Sequence, residues 1–307
     1  MSIILLDDAF FNHFMSDFYI ILTGTLVAIA CGILGCFLIL RKMAMVGDAI
    51  SHAILPGIVL AFLWSGSRDS VTMLLGAGTL GVLTTIIIEF LHKKGKLQTD
   101  ASIGVTFTWL FALGVILISA YTGQVDLDQE CVLYGEIAYV PLDTIILSSG
   151  RDLGPKALYL IGSVLVFVIL FVSVGFRQLK ITSFDPEYAV ALGISATFWN
   201  YLLMAFVSFT TVASFESVGA ILVVAFLIAP AATAYLISKK LKTMILLSCL
   251  IGLLSAILGY YLAAALNASI AGAMATVCGL IFVIVFAYVQ IINNKITKVT
   301  NFDSVNT

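Results

Sequence analysis

The sequence predicts an all-α membrane protein, a polytopic bundle of transmembrane helices, and three observations support that prediction. Of the 307 residues, 61% are hydrophobic and only 10% are charged, whereas soluble domains carry about 25% charged residues. The mean hydropathy is +1.14. Apolar runs of some 20 residues, long enough to cross a hydrocarbon core of about 30 Å, recur along the whole chain. Nothing in the sequence shows the basic clustering of a nucleic-acid-binding protein.

Nine apolar runs are predicted to span the lipid bilayer. Eight or ten remain possible, because the pair on either side of Glu216 is compatible with one broken helix or with two full ones. The predicted spans cover residues 19–40, 44–64, 71–91, 102–120, 157–176, 197–214, 218–237, 244–265 and 271–292. Residues 19–292 therefore form one membrane domain, between an extracytoplasmic segment, 1–18, and a cytoplasmic tail, 293–307.

Basic residues orient the predicted bundle, because loops that stay in the cytoplasm are enriched in lysine and arginine. With the N-terminus outside and the C-terminus inside, all of the 15 basic residues except Arg68, Arg151 and Lys156 fall in cytoplasmic segments. The longest outer loop, residues 121–156, is acidic. Such a surface could attract cations or dock a partner, and it could equally be only a solvated face.

The second span contains an acid and an imidazole. Asp48 and His52 are four residues apart and hence on one face of a helix. A charged group at membrane depth costs roughly 2.5 to 3.5 kcal/mol, so such residues normally face a protein interior or a pathway. Carboxylate oxygen and imidazole nitrogen suit a divalent transition metal. The spacing alone is equally compatible with a hydrogen bond that only fixes helix packing.

Glu216 and Pro230 mark a second unusual place in the apolar sequence. Pro230 removes a backbone hydrogen bond and is expected to kink its helix, and the small residues after it permit close packing. Kinked helices of this kind occur where transport paths are gated and also in membrane proteins generally. Glu216 could add a metal-binding carboxylate at the outer entrance, or it could be a hydrated loop acid.

Residues 183–194 predict a short helix between the fifth and sixth spans. Asp185 can cap its N-terminus, Pro186 suits the first helical position, and Gly193 can close it. Glu187 favours the positive end of the helix dipole. Because a helix of about two turns is too short to be stable alone, it is expected to pack on its own bundle or in a cytoplasmic partner.

The motifs of nucleotide binding and of common hydrolases are missing. The nearest approach to a P-loop, at residues 95–97, lacks the first glycine and the Ser or Thr. Residues 76–81 match GxGxxG but lie in an apolar span with no preceding strand, so they are not a dinucleotide-binding turn. The chain is therefore predicted not to be an enzyme, and any ATP that drives it would be hydrolysed by another polypeptide.

Three stretches resemble the membrane-spanning subunits of ABC importers for manganese, zinc or iron. They are LRKMAMVGDAISHAILPG at 40–57, FDPEYAVALGI at 184–194 and VGAILVVAFLIAPAATA at 218–234, in the order found in that family. The resemblance covers roughly residues 19–290. One departure lies before the last span, where the family commonly has a Pro-Thr-Gly type turn and this chain has NASIAG at 267–272, which predicts a less rigid turn.

The resemblance implies a type II ABC importer-like fold in a bacterial plasma membrane. It implies a second copy or homologue of the permease, two cytoplasmic ABC ATPase subunits and an extracytoplasmic metal-binding protein. Asp48 and His52 match the acid and histidine expected to contact the metal. The short cytoplasmic helix matches the coupling helix seated on the ATPase, with contact residues Phe184, Asp185, Pro186, Glu187, Tyr188, Ala189, Leu192 and Gly193.

The sequence, together with this resemblance, predicts the pathway subunit of an ATP-driven importer of divalent manganese, zinc or iron ions. No permanently bound cofactor is expected, only the transported ion. Two other functions stay open: an ABC permease for a metal chelate or siderophore, which needs a wider apolar passage, and an ATP-independent secondary transporter of metal or protons, which leaves the capped cytoplasmic helix unexplained.

Overall fold

A computed structural model describes residues 2–66, 70–121, 137–146 and 152–305 as a helical bundle with one small hairpin. The helices are α1 (Ser2–Leu40), α2 (Val46–Ala53), α3 (Leu55–Ser65), α4 (Ser70–Lys93), α5 (Thr99–Tyr121), α6 (Lys156–Phe184), α7 (Pro186–Ala191), α8 (Ala196–Val218), α9 (Ala220–Ile237), α10 (Leu241–Leu266) and α11 (Ile270–Val305). Within the described ranges, nine helical stretches are long and apolar enough to cross a membrane. The predicted fold class and span number are confirmed.

Helix α1 forms the centre of the bundle. It packs against α6, α9 and α10, and 78% of its most apolar 18-residue stretch is buried, against 17% for α11. Glycines allow the close approach: a Cβ at Gly35 would meet the backbone carbonyl of Leu227 on α9. The Ser248 hydroxyl of α10 donates a hydrogen bond to the Gly32 carbonyl at 3.2 Å. Small residues thus bring the helix axes together, as is usual where helices associate in lipid.

The second span is divided into α2 and α3 at Ile54. Pro56 lies in the first turn of α3. It has no backbone N–H and cannot donate to the carbonyl of His52, four residues earlier, so the regular helical ladder is interrupted at this point. The continuous apolar pattern of residues 44–64 does not predict this division. It separates a short helix, α2, from the rest of the span, and α2 packs on α4, α5 and α8.

The two spans predicted near Glu216 are separate helices, α8 and α9, and Glu216 lies in the last turn of α8. They meet at Gly219, whose φ of +80° lies in a region that residues with a side chain rarely adopt. The junction is buried, with Phe215, Val218 and Ala220 all inside the bundle. Pro230 lies within α9, which continues as one helix to Ile237.

The loop between α5 and α6 contains short elements that no sequence pattern predicts. A 3₁₀ helix, Ile137–Leu142, packs its buried Ile137 and Val140 against the bundle. It leads into strand β1 (Thr144–Ile146), which pairs antiparallel with β2 (Asp152–Pro155). Four acidic residues of this loop lie outside the described residues: Asp126, Asp128, Glu130 and Glu136.

The connection between α10 and α11 is short. Asn267 ends α10 in the left-handed conformation at φ +48°, and the next helix begins at Ile270. Asparagine is one of the few residues that adopts this conformation readily, which accounts for a tight turn at a place where the Pro-Thr-Gly pattern is missing.

Candidate metal site on helix α2

Helix α2 turns one face into the protein and leaves Asp48 and His52 on the other. Val46, Ala49 and Ile50 are buried, whereas the side chains of His52 and Asp48 are 37% and 40% exposed. This division follows from the sequence, because apolar and small residues recur at the spacing of one helical face. The structure thus brings the two candidate ligands together on one partly exposed face of α2.

The separation of the pair is compatible with joint binding of one metal ion. His52 Nε2 and Asp48 Oδ1 are 3.8 Å apart, which exceeds the range of a hydrogen bond. Two ligand atoms on a tetrahedral metal with bonds of about 2.1 Å are separated by about 3.4 Å. A small side-chain rotation would allow both atoms to contact one ion.

Two phenylalanines of α5 surround the His52 ring. Its centroid lies 5.9 Å from that of Phe107 and 5.9 Å from that of Phe111, with the second pair edge to face at 84°. These contacts restrict the ring orientation and bury its apolar edge. No sequence pattern predicts these contacts, since two phenylalanines in an apolar span are ordinary lipid-facing or packing residues.

Glu216 occupies a different part of the molecule. It is the exposed residue near the C-terminal end of α8, within a segment that is otherwise buried. Its carboxylate acts electrostatically on Lys156, and Lys156 Nζ forms an ion pair with Asp143 Oδ1 at 2.8 Å. Among the described residues, no group of three or more His, Cys, Asp or Glu side chains is found, so Glu216 does not join Asp48 and His52 in one cluster.

The short helix α7 projects an apolar surface from the other end of the bundle. Asp185 Oδ1 accepts a hydrogen bond from the Tyr188 N–H at 2.9 Å, Pro186 follows at the start of the helix, and Gly193 ends the segment at φ +76°. Ala189 is buried against the bundle. Four large side chains are exposed by about half or more: Phe184, Tyr188, Val190 and Leu192. Val190 was not among the predicted contact residues.

An exposed apolar cluster of this kind usually marks a contact surface. The caps are the ones that the sequence predicts, and each works through local chemistry. The side chain of Asp185 satisfies a free N–H, and Gly193 takes a left-handed conformation that suits glycine. Pro186 and Glu187, which were also predicted to contact a partner, are exposed as well.

Comparison with known proteins agrees with the fold. Residues 13–289 match the model of the ABC 3 transport family. The chain is 51% identical over 280 residues to the manganese transport system membrane protein MntD of Bacillus subtilis, covering 91% of this chain and 94% of that protein. It is 41% identical over 269 residues to the zinc transport system membrane protein TroD of Treponema pallidum, covering 88% and 73%.

A solved structure is also similar. PsaBC from Streptococcus pneumoniae in complex with Fab superimposes with a TM-score of 0.71 and 35% identity, over 87% of this chain and 90% of that one. The chain is an integral membrane protein, a transport subunit that belongs to the ABC 3 transport family.

Proposed function

We propose that this chain forms the membrane pathway of an ATP-driven importer of divalent transition metal ions, with manganese as the first cargo to test and zinc as the second. The observation that supports this most directly is the Asp48 and His52 pair on the partly exposed face of α2. Carboxylate and imidazole bind either metal, and iron as well. The relatives named for manganese and zinc transport match most of this chain.

The pair on one chain supplies two ligands, and a second permease copy would supply two more. A dimer in which the α2 faces meet would place up to four protein ligands around one ion. A site of this kind, shared between subunits and partly solvated, would hold the ion weakly enough for it to leave. Glu216, near the opposite mouth of the proposed path, would act at the entrance, where the charged Lys156 and Asp143 also lie.

The proposal includes three partners for the permease. ABC ATPase subunits in the cytoplasm would bind α7 through the exposed Phe184, Tyr188 and Val190. An extracytoplasmic metal-binding protein would deliver the ion to the outer face. The N-terminus would lie outside and the C-terminus inside, so that α7 and the lysine-rich connections face the ATPase.

Uptake of manganese by cells that express the complete transporter tests the proposal. Asp48→Asn replaces the carboxylate by a neutral amide of the same size. His52→Gln removes the imidazole nitrogen that would bind the metal. Loss of a residue that only supports a metal ligand costs roughly 10 to 100-fold in affinity, so loss of a ligand should lower uptake at limiting manganese by at least about tenfold.

Asp100→Asn and His92→Gln are the matched controls, since both residues are exposed and lie at the ends of α5 and α4. All four variants are compared at equal membrane abundance and with the ATPase still bound. Uptake at the parental rate in both α2 variants would reduce Asp48 and His52 to packing residues. If the parent takes up zinc but not manganese, the proposed cargo becomes zinc and the proposed pathway stays the same.

A further inference from the structure

The guanidinium of Arg41 joins three helices at the end of the bundle from which α7 projects. Its Nε donates to Ser183 Oγ at 3.0 Å, its Nη2 donates to Thr182 Oγ1 at 3.0 Å, and its Nη1 donates to Asn200 Oδ1 at 2.6 Å. Thr182 and Ser183 lie in the last turn of α6, and Asn200 lies in the first turns of α8. One side chain therefore holds both segments that flank α7.

A fourth helix is tied to the same cluster. The Asn200 side-chain amide donates to Glu89 Oε2 of α4 at 2.7 Å, and Glu89, which is only 3% exposed, forms an ion pair with Lys93 one turn later. Lys93 Nζ also contacts Thr197 Oγ1 at 3.4 Å. We call these residues, Arg41, Glu89, Lys93, Thr182, Ser183 and Asn200, the Arg41 cluster.

The guanidinium of Arg41 keeps its charge at neutral pH although much of it is buried. Burial lowers the pKa of the Arg41 guanidinium to about 10, and the carboxylate of Glu89 opposes that shift. Removal of one member of a buried, hydrogen-bonded charge pair leaves the other charge buried and unpaired, which destabilises the protein. Such a pair therefore keeps the helices that carry it in place.

Arg41 is joined to the candidate metal ligands by a short, hydrogen-bonded connection. It follows directly on α1, and the next residue, Lys42, adopts a left-handed conformation at φ +58°. The Met43 N–H donates to the Leu38 carbonyl at 2.9 Å and closes the end of α1, in the manner of a Schellman turn. Helix α2 begins at Val46. A tight turn thus separates Arg41 from the helix that carries Asp48.

A cleft of about 350 Å³ beside the Arg41 cluster leaves room for these elements to shift. Its lining includes Arg41, Glu89, Pro186, Thr197 and Asn200. Pro186 is the first residue of α7, so a displacement of α7 would change the shape of this cleft and the positions of the hydroxyls that Arg41 holds.

We propose that Arg41 is a positioning residue that transmits movement of α7 to α2, so that the state of the bound ATPase sets the arrangement of Asp48 and His52. This inference rests on the proposed function. It assigns the coupling to the Arg41 cluster, and it predicts that loss of Arg41 separates ATP hydrolysis from metal transport without removing the ATPase.

The test uses the complete complex in proteoliposomes, purified through a tag on this chain, with manganese uptake and ATP hydrolysis measured on the same sample. Arg41→Gln should retain the bound ATPase and its hydrolysis, while manganese transported per ATP falls by at least about fivefold, the lower end of typical coupling factors. Arg177→Gln is the control: it removes the same charge from an exposed position on α6 and should leave the ratio unchanged.

A second variant, with Thr182→Val and Ser183→Ala combined, removes two acceptors and leaves every charge in place. It should lower the same ratio by a smaller factor. An unchanged ratio in the variants that assemble would overturn the inference, and so would failure of both to assemble, because the cluster would then serve only to hold the fold. A parental complex that hydrolyses ATP and takes up no manganese or zinc would instead contradict the proposed function.

Discussion

At the scale of single residues, glycines decide how closely the helices of this bundle approach. Gly35 of α1 faces the backbone of α9 at Leu227, where a Cβ would overlap the carbonyl oxygen. Backbone cannot yield as the end of a flexible side chain can. The position therefore tolerates no side chain, although an apolar span would ordinarily accept alanine.

Replacement of Gly35 by alanine is expected to destabilise the purified protein. Overpacking of a close helix contact costs about 1 to 3 kcal/mol, and the intrinsic helix preference of alanine recovers up to about 1 kcal/mol of this. Unfolding in detergent, followed by circular dichroism during heating, should show a lower midpoint for Gly35→Ala.

Gly162→Ala on α6 is the control for this substitution, because nothing lies within 4 Å of a Cβ built there. Its midpoint should equal or exceed that of the parent. Equal stability of Gly35→Ala and Gly162→Ala would mean that α1 and α9 are less closely packed than their separation indicates.

At the scale of elements, α7 carries an exposed apolar surface that no other described segment of the chain covers. Val190 is 65% exposed, and its burial in a partner would contribute about 1.5 to 3 kcal/mol. Val190→Asp should therefore weaken association with the ATPase by at least about tenfold. Titration of the labelled ATPase onto the detergent-solubilised permease measures the dissociation constant.

Gln98→Asp provides the comparison for Val190→Asp. It introduces the same carboxylate at an exposed position in the connection between α4 and α5, at the same end of the bundle. An equal loss of affinity in both variants would indicate a general effect of charge and would remove Val190 from the proposed interface.

The sequence predicted elements well where the determining chemistry is local. The helix at Pro186–Ala191 was predicted from its caps, because Asp185, Pro186 and Gly193 act on neighbouring backbone groups. The division at Ile54 was missed although Pro56 was visible, since proline in a membrane helix can either kink or interrupt it. The hairpin formed by Thr144–Ile146 and Asp152–Pro155 was missed because two short strands give no clear periodic signal.

At the scale of the whole molecule, the orientation in the membrane can be tested with two single cysteines in a background in which all five native cysteines are replaced by alanine. Ala268 and Lys96 are both exposed, at opposite ends of the predicted topology. In spheroplasts, a membrane-impermeant maleimide should label Ala268→Cys and should reach Lys96→Cys only after permeabilisation. The unequal distribution of basic residues supports this expectation.

The opposite labelling pattern would invert the topology and place α7 outside, where no ATPase could bind it. Equal labelling of both cysteines before permeabilisation would indicate leaky spheroplasts. Labelling of an endogenous cytoplasmic thiol protein in the same sample shows whether this has happened.

The number of spans could be predicted from the sequence because length and hydropathy determine it. The arrangement of the spans could not. Arg41 and Ser183 are 142 positions apart, and no local pattern relates them. Asp48 and His52 were found because polar residues in an apolar span are conspicuous, whereas the Phe107 and Phe111 contacts to His52 depend entirely on how α5 packs on α2.

The buried position of α1 has a consequence for biosynthesis. Chains are made from the N-terminus, so α1 reaches the membrane long before α6, α9 and α10, the helices that surround it. Its high hydropathy lets it wait in lipid as an independent span. The central helix is then inserted before the helices that enclose it. A ribosome that stalls before α9 would leave the glycine-lined face of α1 exposed to other newly made membrane proteins.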